Sequence, residues 1–287
     1  MICRKPEILQ YEMLSQYLNE IGFSHQFDYI PTNNIQLAEQ VESAFDKYDS
    51  LRFEPSFYEE VAGLYHSNSS EVMTLAAADC LVKRDKRWWA ISILFPALQK
   101  VLSSYGHRLD LQSEVLIVGT DGLARLCIAA FVKLGFKKIN VTSVFDERGR
   151  ELVHSLSRFN FDVHFSFYPT DQLILLPGIH GVIVNTEEPG PSNSEVLKEL
   201  SYFNFLKSNG LVWDINLLSK TSPLIREASG VGAMALTAAI PISWADFLWI
   251  KSVTNKSIDQ KKYLEFLIKN TQQVDSYNDK KTKLYSV

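Results

Sequence analysis

The stretch Glu114-Val-Leu-Ile-Val-Gly119, continued by Thr120-Asp-Gly-Leu-Ala-Arg125, decides the fold. Its first half is a short apolar run that ends on glycine, and its second half opens an amphipathic stretch that runs to Leu134 and stops at Gly135. A short apolar run bounded by glycine fits a buried strand, and the following 3.6-residue periodicity fits a helix. Working outward, the pattern repeats. Lys138–Val144 is expected to be a strand, Glu147–Phe159 a helix, and Phe161–Phe165 and Gly181–Asn185 strands. Ser194–Ser208 is then expected to be a helix and Gly210–Ile215 a strand. Apolar strands alternating with helices imply a parallel sheet covered on both faces, the Rossmann-like arrangement.

The first hundred residues are less regular but also α/β in character. Helices are expected over Glu7–Ile21, Asn34–Phe45, Ser56–Leu64 and Phe95–Tyr105, with a strand at Leu51–Phe53. Leu75–Lys83 and Arg87–Ile93 read as a hairpin around Asp85-Lys86. Gly232–Ile250 reads as one long apolar helix and Ile258–Tyr277 as an amphipathic one.

Composition bounds the partners. The chain has 287 residues, 46% of them hydrophobic, which is ample for two packed cores. Its 29 basic and 33 acidic side chains are interspersed and leave a formal charge of -4, so nothing electrostatic points to nucleic acid or an anionic membrane. Cys3, Cys80 and Cys127 are odd in number and without metal-ligand spacing, so no metal site and a reducing cytoplasmic setting are expected. The amino end shows no apolar run of signal-peptide length, and no segment is apolar for long enough to span a bilayer. The expected partner is a small molecule, with a protein partner or a homodimer also open.

Three strings carry a family resemblance: Ala76-Ala-Ala-Asp-Cys-Leu-Val82, Arg87-Trp-Trp-Ala-Ile-Ser-Ile-Leu94 and Val115-Leu-Ile-Val-Gly-Thr-Asp-Gly-Leu-Ala-Arg125. Their order resembles GAVNTLV, GRWxGxNTDxxGF and VLVLGAGGAARA in shikimate dehydrogenases. Val184-Asn-Thr186 with Gly190, and Asp214 through Pro223 to Ala228, continue the likeness in register. The resemblance implies an α/β chain of two domains, a substrate-binding-type domain over residues 1–106 and a Rossmann-like NAD(P)-binding-type domain over 107–235. Helices over 236–287 would return to the first domain, with the ligand in the cleft between the domains.

Against that pattern the site residues have changed. The family's catalytic lysine and aspartate align with Tyr58 and Leu94. Leucine moves no proton, and a tyrosine does so near neutrality only if a cation lowers its pKa from about 10. Its ordinary role is packing. The substrate contacts align with Cys3, Lys5, Asp79, Cys80, Ser92 and Ala238, a set unsuited to the same molecule. Tyr58 and Asp79 are the candidate catalytic residues, and Lys5, Cys80, Ser92 and Ala238 the candidate substrate contacts.

The resemblance implies NAD or NADP as cofactor, held by Gly119, Thr120, Asp121, Gly122, Leu123, Asn185 and Thr186. A pyrophosphate would sit on the amino end of the helix that follows Gly119. Asp121 places a carboxylate at that turn, or else simply caps the helix. Val144 stands where the family's NADP-binding arginine would be, and Asp146 and Glu147 follow it. Three readings stay open: an oxidoreductase of changed substrate, a pseudoenzyme acting as ligand sensor or protein-binding partner, and a non-redox enzyme that has lost the dinucleotide.

Overall fold

The computed structural model describes residues 2–3, 9–64, 69–175, 180–187, 206–215 and 222–271. The chain forms two compact units. Unit 1 comprises residues 1–97, 121–126 and 242–266, and unit 2 comprises 98–120, 127–241 and 267–287.

Unit 2 is built on a six-stranded parallel sheet. Its strands are β6 (Glu114–Val118), β7 (Lys138–Ser143), β8 (His164–Pro169), β9 (His180–Asn185), β10 (Leu206–Asp214) and β11 (Met234–Thr237), in the order β11-β10-β9-β6-β7-β8. Every residue of β9 is buried, and so are Val115–Val118 of β6, which explains why these strands read as unbroken apolar runs. Two helices show how the crossovers form. Helix α7 (Asp146–Ser157) buries Gly149, Leu152 and Leu156, where the glycine admits the ring of Phe167 from β8. Helix α8 (Pro223–Gly230) starts on Ser222, whose hydroxyl accepts from the Ile225 amide, and packs Leu224 and Ala228 on Val212. The chain leaves β6 toward β7 on one side and reaches β9 on the other, so the sheet reverses direction between β6 and β9. In sheets of this kind ligands bind at the carboxyl ends of the strands flanking that reversal.

Several expected elements move. The strand expected at Phe161–Phe165 begins at His164 instead. The Val163 amide closes a turn on the Asn160 carbonyl, the His164 amide starts the ladder on the Lys137 carbonyl, and Phe161 is left 93% exposed. The helix expected over Gly232–Ile250 is a strand followed by a helix. Met234–Thr237 pairs with Leu211–Asp214, and helix α9 (Ala239–Thr254) follows. A continuous apolar run does not distinguish a buried strand from a buried helix, and this one contains both. Residues 194–205 of the helix expected over Ser194–Ser208 lie outside the described residues, and Leu206–Ser208 open β10. The last helix, α10, covers 260–271; the rest of the stretch expected to Tyr277 lies outside the described residues.

Unit 1 holds two short sheets. Strands β1 (Ile2–Cys3) and β2 (Ile30–Pro31) pair in parallel. Strands β3 (Ser50–Arg52), β4 (Cys80–Arg84) and β5 (Arg87–Ile91) form an antiparallel sheet. The β4–β5 turn is Asp85-Lys86, both at positive φ of 49° and 59°, the backbone of a type I′ hairpin. Helices α1 (Leu9–Glu20), α2 (Leu37–Ser43), α3 (Tyr58–Leu64) and α4 (Ser70–Leu75) belong to this unit, and α5 (Leu94–Tyr105) begins in it. Helix α4 lies partly where the first hairpin strand was expected; Ala76 ends it in the left-handed region, and the strand starts only at Cys80. No helix among the described residues is long and apolar enough to cross a membrane.

Candidate functional site

In unit 1 a buried polar cluster gathers around Arg52. Its Nη1 donates to Asp246 Oδ1 at 3.3 Å, and its Nη2 lies 3.8 Å from Asp79 Oδ2. Asp246 also accepts from Gln10 Nε2 at 3.1 Å and from the Tyr263 hydroxyl at 2.8 Å. The guanidinium lies 5.2 Å from the Trp249 ring centroid and 5.8 Å from that of Tyr11. Burial raises the carboxyl pKa of both Asp79 and Asp246, with Arg52 opposing that rise. Burial alone would lower Arg52, but Tyr11, Asp79 and Asp246 outweigh it and keep the guanidinium charged.

Both expected catalytic residues belong to unit 1 and are buried. Asp79 is fully buried, and its two oxygens accept from the Ile93 amide at 2.6 Å and the Leu94 amide at 2.9 Å, at the start of α5. It therefore caps a helix and neutralises Arg52. Ser92, expected to touch a substrate, accepts from the Phe95 amide at 3.2 Å and completes the same cap. Tyr58 is 4% exposed and opens α3. Burial first, then Asp79 and Tyr11, push its pKa well above that of free tyrosine, with Arg52 opposing the rise. Cys80 pairs with Arg52 in the sheet register and contacts Ser50 Oγ at 3.4 Å; burial pushes its thiol up to about 12, so it is no thiolate nucleophile near neutrality. Leu94 is buried at the first turn of α5. Lys5 lies outside the described residues, and Ala238 is fully buried in unit 2 after β11.

In unit 2 the strand ends converge on Glu187. Gly119 ends β6 at φ +126°, its amide bonded to the Thr142 carbonyl at 2.8 Å. A Cβ at Gly119 would overlap Thr186 Oγ1 and lie 3.1 Å from Glu187 Cγ, so these two side chains cover the face of the glycine. Thr186 is held to the Val118 carbonyl through both its amide and its hydroxyl. Asn185 turns back on the Glu187 amide at 3.2 Å and donates to Asp214 Oδ1 at 3.2 Å. Glu187 is 6% exposed; its Oε1 accepts from Ser143 Oγ at 2.6 Å, and its Oε2 is buried without a hydrogen-bond partner among the described residues. Burial raises its pKa, and the Ser143 bond partly offsets that.

The residues at the β6–α6 turn do not fit a dinucleotide pyrophosphate. Helix α6 (Gly122–Leu134) starts on Asp121, whose Oδ1 accepts from the Leu123 and Ala124 amides, both at 3.1 Å. A carboxylate thus uses the donors that a phosphate would need. A Cβ at Gly122 would overlap Cβ of Tyr58, so that glycine is filled by protein as Gly119 is. Thr120 is buried, Val144 offers no cation at the end of β7, and Glu187 adds a second carboxylate at the strand ends.

Four residues of these clusters are not found by sequence reasoning. Arg52 stands in the sequence only inside the strand expected over Leu51–Phe53, and Glu187 only as the neighbour of Asn185-Thr186. Asp246 and Trp249 are absorbed into an apolar run. A lone acid in Ala239–Thr254, beside the single lysine Lys251, is the available signal.

No protein-family model matches the chain, and no curated protein matches it in sequence. Solved structures do. The shikimate 5-dehydrogenase of Thermus thermophilus, solved with shikimate, is 14% identical with a TM-score of 0.73, over 94% of this chain and 97% of that one. The quinate dehydrogenase of Corynebacterium glutamicum, solved with NAD, is 14% identical with a TM-score of 0.75, over 93% and 97%. The shikimate dehydrogenase of Aquifex aeolicus is 18% identical with a TM-score of 0.74, over 93% and 96%. At these identities the likeness is one of fold, and this chain has the fold of the shikimate and quinate dehydrogenases.

Proposed function

We propose that this chain is a small-molecule-binding protein on the dehydrogenase fold and does not carry out hydride transfer with NAD or NADP. Glu187 carries the reading. A buried carboxylate, one oxygen of it unpartnered among the described residues, covers the glycine at the end of β6. A pyrophosphate brought to that point would meet like charge in a poorly solvated setting, where repulsion is least screened. The proton-transfer side supports the same conclusion: Tyr58 holds its proton, Asp79 is spent on α5 and Arg52, and Leu94 has no acid or base.

The test is thermal unfolding with NAD, NADH, NADP and NADPH in turn. A ligand at a hundred times its dissociation constant adds about 2.7 kcal/mol to the folded state. No shift is expected with any of the four, and no turnover of 3-dehydroshikimate with NADPH. A clear shift with one of them would overturn the proposal. It would favour the second reading, an oxidoreductase of changed substrate, which the fold neighbour solved with NAD supports.

A further inference from the structure

Unit 1 contains a cavity of about 650 Å³ whose wall includes Arg52 and Ser50, the contacts of Asp79 and Cys80, but neither Asp79, Cys80 nor Tyr58 themselves. Helix α1, the 23–29 segment, the 47–50 segment, β3 and the last turns of α9 line it. That volume lies within the range of small-molecule sites. We propose that it binds a neutral aromatic molecule bearing a carbonyl or ring-nitrogen acceptor. The site stands on its own and is independent of whether a dinucleotide binds unit 2.

Three observations define the ligand. First, Tyr11, Phe23, Phe27, Tyr29, Tyr48 and Trp249 give the wall six aromatic side chains. Trp249 stacks on Phe27 at 5.5 Å between centroids and 29° between planes, and its indole N–H is fixed on Ser50 Oγ at 2.9 Å. These are flat, preset surfaces suited to a flat ring. Second, Arg52 is 4% exposed and lines the cavity, and its Nε is buried without a hydrogen-bond partner among the described residues. A guanidinium with an unmatched N–H in a poorly solvated wall favours a ligand that brings an acceptor to its exposed edge.

Third, the surrounding charge selects against ions. The guanidinium is already matched by Asp246 at 3.3 Å and Asp79 at 3.8 Å, and among the described residues the wall adds Asp28, Asp49, Lys47 and His25. A carboxylate ligand would enter a region where, among the described residues, Asp28, Asp49, Asp79 and Asp246 outnumber the permanent cations Arg52 and Lys47. An ammonium would set donor against donor at Arg52. A neutral acceptor avoids both penalties.

The experiment uses three isosteric probes, benzamide, benzoate and benzylammonium, each titrated at millimolar concentration into the full chain. The indole N–H resonance of Trp249 is followed, assigned with Trp249→Phe. Benzamide is expected to shift it, with benzoate, which meets like charge, and benzylammonium, which brings no acceptor, about tenfold weaker. Val253→Phe, on the half-buried last turn of α9, fills the cavity without touching the charged cluster. It should abolish the benzamide shift while unfolding at an unchanged or higher temperature. An ionic probe binding as tightly as benzamide would overturn the ligand class. No shift with any probe, or a shift that survives in folded Val253→Phe, would overturn the site.

Discussion

At the scale of single residues, the chain carries buried charge whose consequences can be measured. Glu187 is the simplest case. Burial raises its carboxyl pKa in the folded protein, so between the ordinary glutamate value and the raised one the folded state holds a proton that the unfolded state has released. Its contribution is therefore most favourable below the ordinary pKa and is lost as pH climbs through the raised one. Glu187→Gln should be more stable than the parent at neutral pH, with the difference shrinking in acid; a Tm difference independent of pH would refute this. Arg52 works in the opposite sense. Arg52→Met would leave Asp79 and Asp246 buried without a counter-charge, and about 3–5 kcal/mol should be lost in urea unfolding. A loss of about 1 kcal/mol or less would place the cluster with exposed ion pairs. Neither role is legible in the sequence. The amides that hold Asp79 belong to Ile93 and Leu94, and Asp246 is brought to Arg52 from 194 positions away. Residue type alone reads such an aspartate as a reactive group.

At the scale of elements, local signals are legible where they are self-contained. Glu114–Val118, the turn and Gly122–Leu134 are complete within one stretch, with Gly135 closing the helix at φ +117°. The 232–250 run misleads because its strand exists only through pairing with β10, which no local pattern encodes. The β4–β5 hairpin lies between these cases. Asp85-Lys86 is legible as a turn, yet neither residue is the glycine that a type I′ turn prefers. Lys86 sits at φ +59°, a conformation that costs a side-chain-bearing residue roughly 1–2 kcal/mol. Lys86→Gly should recover part of that, about 1 kcal/mol after the extra chain entropy of glycine is deducted. Equilibrium unfolding would show it, and a destabilised variant would mean that the lysine side chain makes up for its backbone.

At the scale of the whole molecule, cohesion is distributed unevenly, and the distribution follows from topology. Strands β6 and β9 lie in the middle of the six-stranded sheet, each with a neighbour on both sides, and their side chains are almost entirely removed from water. Opening their amides requires breaking two ladders and exposing both faces, close to the cost of global unfolding. Among the described residues, strands β1 and β2 share only the pairs Ile2–Ile30 and Cys3–Pro31 and have no third strand. Such a two-residue ladder is held by little beyond its own hydrogen bonds. Hydrogen exchange should therefore find the amides of Val115–Val118 and Val182–Val184 among the last to exchange, and that of Ile30 among the first. Equal protection would mean that the amino-terminal pair opens only with the rest of the fold, and that the 23–29 segment leading into β2 is a rigid wall of the aromatic cavity. Early exchange would instead give that wall freedom to adjust around a ring, so the same measurement tells how far the cavity is preset for its ligand.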